Sequence, residues 1–408
     1  MTIDIARSTI RTVASLAAVA IVAGSLQAAG ARPLSQRAGA TQPAHSLFSG
    51  ARAPLALSPG AIANLHPGRS LYSNRHRFGP NFAYTHANVV FGSDYAANEV
   101  DVFKQSAGFP YVATLSDAPP NACGQPQLQG PQGMWVDHQR NLWVADTYNS
   151  DVREFPLGQT TSAVSLSDPG YYPVGTTVDA TVTGNVYATN IISTSATAGN
   201  IVGWTPPFTC GQAPNIVLSD PSFATVYFAS TDALGDLYVD YIDTTSTPRV
   251  CYIPAPIPAT STTICSTPTS ITTVQLGFPG GMQVLPLPAS INKIGIDDQI
   301  GNAPVSLGIG IYKLPLPTSG PRDLPCTNVS PPYSTGIGLG PFSDPVTFAF
   351  TNPKGYDLWA SDAAVTSGGA LLETREKVCA PTYPGAFAGK ITGFAQLIGT
   401  AVSPSVSP

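Results

Sequence analysis

Three features of the 408-residue sequence predict an all-β fold built as a closed ring of repeated sheets. A unit of about 50 residues recurs, each unit holds four short apolar runs with period-2 alternation, and helical 3.6-residue periodicity is almost absent beyond the first 31 residues. The composition agrees. Gly 38 and Pro 40 with only 11% charged residues disfavour long helices, and 43% apolar residues supply a sizeable core. The architecture that meets these conditions is a six-bladed β-propeller of four-stranded blades.

The unit is clearest in residues 130–155, GPQGMWVDHQRNLWVADTYNSDVREF. A Gly/Pro-led apolar strand is followed by a turn, a Leu-aromatic strand ending in a small residue and Asp, a polar loop, and a further short strand. Copies follow at residues 173–204, 223–253, 280–316 and 344–373, and an incomplete one opens at Val89 without its leading strand. The marker acid or amide falls at Asp94, Asp146, Asn190, Asp240, Asp298 and Asp362, spaced by 52, 44, 50, 58 and 64 residues. A second marker, Leu-Ser-Asp, ends the first three units at Asp117, Asp168 and Asp220. A ring must hide its two cut edges. Residues 390–402, KITGFAQLIGTAV, read as the end of one blade and the inner strand of the next, so residues 399–403 are predicted to lie beside residues 89–94 and complete the first blade.

With these motifs in place, the body resembles NHL-repeat proteins and, more broadly, the six-bladed propellers that include the gluconolactonase-like group. Residues 130–155 carry the NHL pattern of a Pro-Gly lead, a hydrophobic-Val-Asp strand, Asn-Leu-aromatic-Val-Ala-Asp and a following Asn; the likeness spans roughly residues 88–404. The resemblance implies one enzymatic alternative, a metal-dependent lactonase or related hydrolase whose ion is held by Glu, Asn and Asp at the channel. The chain departs from that pattern, because Gly133, Gly175 and Gly281 stand where the group places its ligand. The three-His zinc centre of propeller lyases is not matched either, since only His138 lies within the repeats.

Arg7 and Arg11 precede an uncharged run over residues 12–26, and Ala29, Gly30 and Ala31 supply small residues, so residues 1–31 are predicted to be a cleaved export signal. Residues 32–77, with six Arg among Ala, Pro and Ser, are predicted to be a disordered basic leader, and residues 78–408 the propeller. Residues 1–77 hold eight Arg and one acid, so the body is more acidic than the net −5 of the whole chain. Such a body repels phosphate backbones, and nucleic acid is not an expected partner. No transmembrane segment is expected after signal removal, and the location predicted is secreted, periplasmic or in the cell envelope.

The candidate binding residues are those at the ends of second strands and in the loops after them: Asp94 with Asn98, Asp146 with Tyr148 and Asn149, Asp240 with Tyr241, and Asp362. Alternating strand direction brings these loops to one face. Asp and Asn in such positions satisfy backbone N–H groups within turns. Gathered at a channel mouth, the same oxygens would suit calcium, although no cofactor is expected. Trp135, Trp143, Tyr187, Tyr238 and Trp359 lie on strands and are expected to pack between blades. His138 sits in the polar turn DHQRN and is expected to face water. Six Cys fit an oxidising compartment, and Cys251–Cys265, bracketing one loop, is the candidate disulfide. The function expected is noncatalytic: an exported binding or scaffold propeller holding a protein or glycan.

Overall fold

The computed structural model describes residues 88–179, 184–195, 197–265, 270–271, 276–285, 293–299, 308–314, 345–351, 358–363, 368–374 and 389–403, together with Thr181. The predicted signal and leader, Cys326 and Cys379 lie outside these residues.

The first blade combines β1 (Val89–Asp94), β2 (Glu99–Lys104) and β3 (Tyr111–Leu115) with the last strand, β24 (Leu397–Ser403), which pairs antiparallel with β1. The closing strand is therefore where the sequence placed it. The second blade is β4 (Pro131–Val136), β5 (Leu142–Asp146), β6 (Asp151–Phe155) and β7 (Val164–Ser167). The third is β8 (Tyr171–Val178), β9 (Val186–Ser193), β10 (Ala198–Trp204) and β11 (Ile216–Leu218), with β15 (Thr260–Ser261) added parallel to β11. The fourth is β12 (Phe223–Thr231), β13 (Leu237–Asp243), β14 (Pro248–Ile253) and β16 (Ser270–Ile271). Next come β17 (Pro279–Leu285), β18 (Lys293–Asp298) and β19 (Gly308–Lys313), and the last blade is β20 (Pro345–Phe350), β21 (Leu358–Asp362), β22 (Ala370–Thr374) and β23 (Gly389–Thr392).

The expectation of six equal four-stranded blades is corrected. Among the described residues five blades reach four strands or more, and the β17-β18-β19 sheet has three. The Pro- and Gly-rich residues 315–344 that follow lie outside the described residues, so no fourth strand is described for this sheet. Inner strands β24, β4, β8, β12, β17 and β20 pack in that cyclic order, and β20 returns to β24.

Packing between blades is aromatic and aliphatic. Trp143, Tyr187, Tyr238 and Trp359 are at most 2% exposed, and Trp135 is 7% exposed, as expected of strand aromatics facing a neighbouring sheet. Trp143 packs with Val152, Leu166, Val186 and Trp204 between the second and third blades. His138 is exposed. The turn it sits in is held by Asp137, whose carboxylate accepts the Asn141 amide N–H at 2.7 Å and the Trp143 Nε1–H at 3.0 Å.

Candidate functional site

The marker carboxylates do one job repeatedly. Asp94, Asp146 and Asp298 each lie on the second strand of their sheet and accept backbone N–H groups from the segment entering the inner strand, and Asp240 accepts one from within its inner strand. Asp146 Oδ1 takes Gln129 N–H at 2.6 Å, and Asp298 Oδ1 takes Gly277 and Phe278 N–H at 2.8 and 3.1 Å. Asp240 Oδ1 takes Phe228 N–H at 2.7 Å. Asp94 takes Ala395 and Gln396 N–H at 2.6 and 2.9 Å and Ala97 N–H at 3.1 Å, so it also ties the two chain ends into one blade. The inner strands bulge at this level, between Pro131 and Met134, Pro279 and Met282, and Pro345 and Thr347. In β12 the irregularity between Val226 and Ala229 frees the Phe228 amide from the ladder, and Asp240 is its acceptor.

This placement corrects part of the expected contact set. Asp94, Asp146, Asp240 and Asp362 are 0–2% exposed, so they are turned into the fold. Burial raises the carboxyl pKa of Asp94, and more strongly that of Asp240, against the lowering effect of their backbone N–H bonds. Tyr241 is 2% exposed and packs edge-on against Phe223 with ring centroids 4.8 Å apart. It points to the core because β13 continues through Asp243 and Tyr241 is still an inward strand position. Residues expected at a mouth are thus mostly supports.

Three of the eight retain exposure: Asn98, Tyr148 and Asn149. Asn98 adopts φ 60, and its Oδ1 accepts Gly130 N–H at 2.8 Å, joining the first and second blades. Asn149 Nδ2 donates to Asp146 Oδ2 at 2.7 Å and to Gln127 O at 2.9 Å. The Tyr148 hydroxyl is hydrogen-bonded to that of Tyr95, and its ring lies 5.7 Å from Tyr95 and 6.2 Å from Tyr172. The result is a row of three part-exposed tyrosines running from the β1–β2 loop across the second blade to the start of β8. Gly130, at φ +64, sits beneath it; a methyl there would come within 2.8 Å of Tyr148 Cδ2. Tyr172 directly follows no marker in the sequence, and Tyr95, although it follows Asp94 directly as Tyr241 follows Asp240, was missed.

A second constellation was also missed. Arg153, fully buried, meets three carboxylates: Asp117 at 2.7 Å, Asp146 at 2.8 Å and Asp151 at 3.1 Å. The contact with Asp146 is a close ion pair and not an aligned hydrogen bond. Asp117, from the Leu-Ser-Asp marker of the preceding blade, also accepts Ser162 N–H at 2.8 Å. The Asp146 carboxyl is raised by burial first and by the Asp151 charge second, with Arg153 acting against both. This cluster binds the first blade to the second.

Neighbouring inner strands approach one another closely at Gly133, Gly175 and Gly281. A Cβ on Gly133 would lie 2.6 Å from Val174 O, on Gly175 2.7 Å from Tyr227 O, and on Gly281 2.8 Å from Thr347 Cα. Glycine is required there because neighbouring inner strands touch backbone to backbone. Gly133 and Gly281 also line, with Met134, Phe228, Met282, Phe348 and Thr400 among others, a cavity of about 30 Å³. Among the described residues no group of three His, Cys, Asp or Glu is arranged to hold a metal ion.

Cys251 and Cys265 form the expected disulfide, and a second joins Cys123 to Cys210 across 87 residues of sequence. Among the described residues no helix is long and apolar enough to cross a membrane.

No family model and no curated protein matches the chain. Solved structures similar to it are propellers in overall arrangement. A protein of unknown function from Bacteroides caccae is 9% identical, with TM-score 0.48 over 78% of this chain and 99% of that one. A chain of a nidogen/laminin complex is 10% identical, with TM-score 0.45 over 78% and 98%. A gluconolactonase from Xanthomonas campestris is 13% identical, with TM-score 0.38 over 81% and 90%.

Proposed function

We propose that the chain is an exported, noncatalytic binding or scaffold propeller with NHL-like repeats that holds a protein or glycan on the face bearing Tyr95, Tyr148 and Tyr172. The observation that carries this reading is the row of part-exposed phenol rings crossing three blades, flanked by Asn98 and Asn149. Tyrosine offers a large, rigid contact area with a polar tip at low entropic cost, and amides add adaptable hydrogen bonds. Asp94, Asp146, Asp240 and Asp362 then serve as the internal supports that set the loops, and Tyr241 as packing. Lactone hydrolysis is the weaker reading, because the close approach of neighbouring inner strands leaves room only for glycine at the positions where the gluconolactonase-like group places its ligand. Export is supported by two disulfides, which an oxidising compartment sustains.

The test begins with a pull-down from culture medium and envelope extract. Tyr148→Ala should weaken capture of the recovered partner by ~1–2 kcal/mol, roughly 5- to 30-fold, with little change in melting temperature. Tyr241→Ala should lower the melting temperature and leave the affinity of the folded protein intact. Unchanged affinity and a lower melting temperature in Tyr148→Ala would move the contact face elsewhere.

A further inference from the structure

Two loops leave their own blades and lie along the outer strand of the preceding one. The loop between β10 and β11 runs beside β7: Ser167 N–H donates to Gln212 O at 2.9 Å and Gly211 N–H to Ser165 O at 2.8 Å, making a parallel bridge. The loop after β14 does the same beside β11, with Val217 N–H on Ala259 O at 2.8 Å and Ser219 N–H on Ser261 O at 2.9 Å. Each strap is mostly exposed and is anchored by apolar side chains, Phe208 in the first and Ile257 with the buried Ile264 in the second. Phe208 packs edge-on against Trp143 at 5.2 Å, and Ile257 packs on the core shared by the third and fourth blades. Each strap is also tied by a disulfide. Cys210 is bonded to Cys123 in the connection between the first two blades, and Cys251–Cys265 brackets the second strap.

The outer strand of a blade is an open edge whose unpaired N–H and C=O groups can accept a strand from another chain. We propose that the two straps are redox-locked covers: with the disulfides formed they close the edges of β7 and β11, and on reduction they lift while the ring stays shut. In the step, a thiolate of a dithiol reductant attacks one sulfur of the bridge and its second thiol resolves the mixed disulfide. The reductant leaves as a disulfide, and two electrons and two protons end on the two cysteine thiols. The opening is local because a strap is mostly exposed and holds its edge by a few backbone bonds and one or two apolar side chains, which places it at the low end of local stability. Ring closure rests on separate elements, β24 against β1 and the inner strands on one another.

Hydrogen exchange of the oxidised protein, and of the same protein after treatment with dithiothreitol, tests the proposal. The Ser167, Gly211, Val217 and Ser219 amides should exchange at least about tenfold faster on reduction. The Phe228 and Thr347 amides, bonded to Asp240 and Ser361 inside the ring, should keep their rates. The double variant Cys123→Ser, Cys210→Ser should speed Ser167 and Gly211 only; if it fails to fold, reduction of the native protein decides alone. Unchanged exchange at the four strap amides, or an equal rise throughout the ring, would overturn the proposal.

Discussion

At the end of its second strand the second blade has Asp146 opposite Asp151, with Arg153 two residues on; the third blade has Asn190 opposite Asn200, with Val202 in the arginine's place. From the preceding blade comes Asp117 in the one and Asp168 in the other. One backbone device is therefore held together in two ways. In the second blade a buried guanidinium collects three carboxylates. In the third, Asn190 Nδ2 bonds Asn200 Oδ1 at 2.8 Å, and Asp168 is left as a carboxyl with no cation beside it. Burial pushes Asp168 up to about 7, with the Asn190 amide acting in the opposite direction. The difference teaches that this position requires hydrogen bonding to the loop and tolerates either a compensated charge cluster or a nearly neutral one.

Breaking the charged version should have the largest effect. Arg153→Met leaves three buried carboxylates without a counter-charge and should cost about 3–5 kcal/mol in denaturant unfolding at pH 7, recovering in part at acid pH. A loss below about 1 kcal/mol would mean that the carboxylates are already largely protonated.

The neutral version should show itself through pH. The folded pKa of Asp168 lies above its unfolded value near 3.8, so the native state holds the proton more tightly. Its contribution is fully present below about pH 4 and is lost as pH rises through about 7. Asp168→Asn should remove that slope and gain up to about 4 kcal/mol at pH 8 relative to the parent, when the two are matched at pH 4. Parallel stability curves for parent and variant between pH 4 and 8 would refute the assignment.

The smallest effect is expected for Asn200→Ala, which removes one neutral buried hydrogen bond and should cost about 1 kcal/mol with no pH dependence. A pH-dependent loss would instead show that Asn200 also restrains Asp168 through Asn190.

Much of the fold was legible because it is periodic. The Asp at the end of each second strand, the alternation in residues such as Leu142, Trp143 and Val144, and the inner-strand pattern in residues 397–403 are local signals that need no partner to be recognised. The site was less legible. Asp94, Asp146 and Asp240 look like mouth residues in sequence because they precede polar loops; only the backbone N–H groups of the facing inner strand and of the segment entering it explain why they turn inward. Tyr148 and Tyr95 both follow a marker, but their meeting with each other and with Tyr172 appears only when three blades are stacked.

The sequence by itself determined the all-β class, the repeat and its strand order, closure by the last strand, and the Cys251–Cys265 bridge, whose partners are 14 residues apart. Each of these depends on hydrophobic phase or on a short loop, which the chain encodes locally. Tertiary structure alone decided the Arg153 cluster, the tyrosine row, the two edge straps and Cys123–Cys210. Those contacts join residues tens of positions apart, and their formation depends on the angle and offset at which one twisted sheet meets the next, a quantity that no single blade's pattern contains.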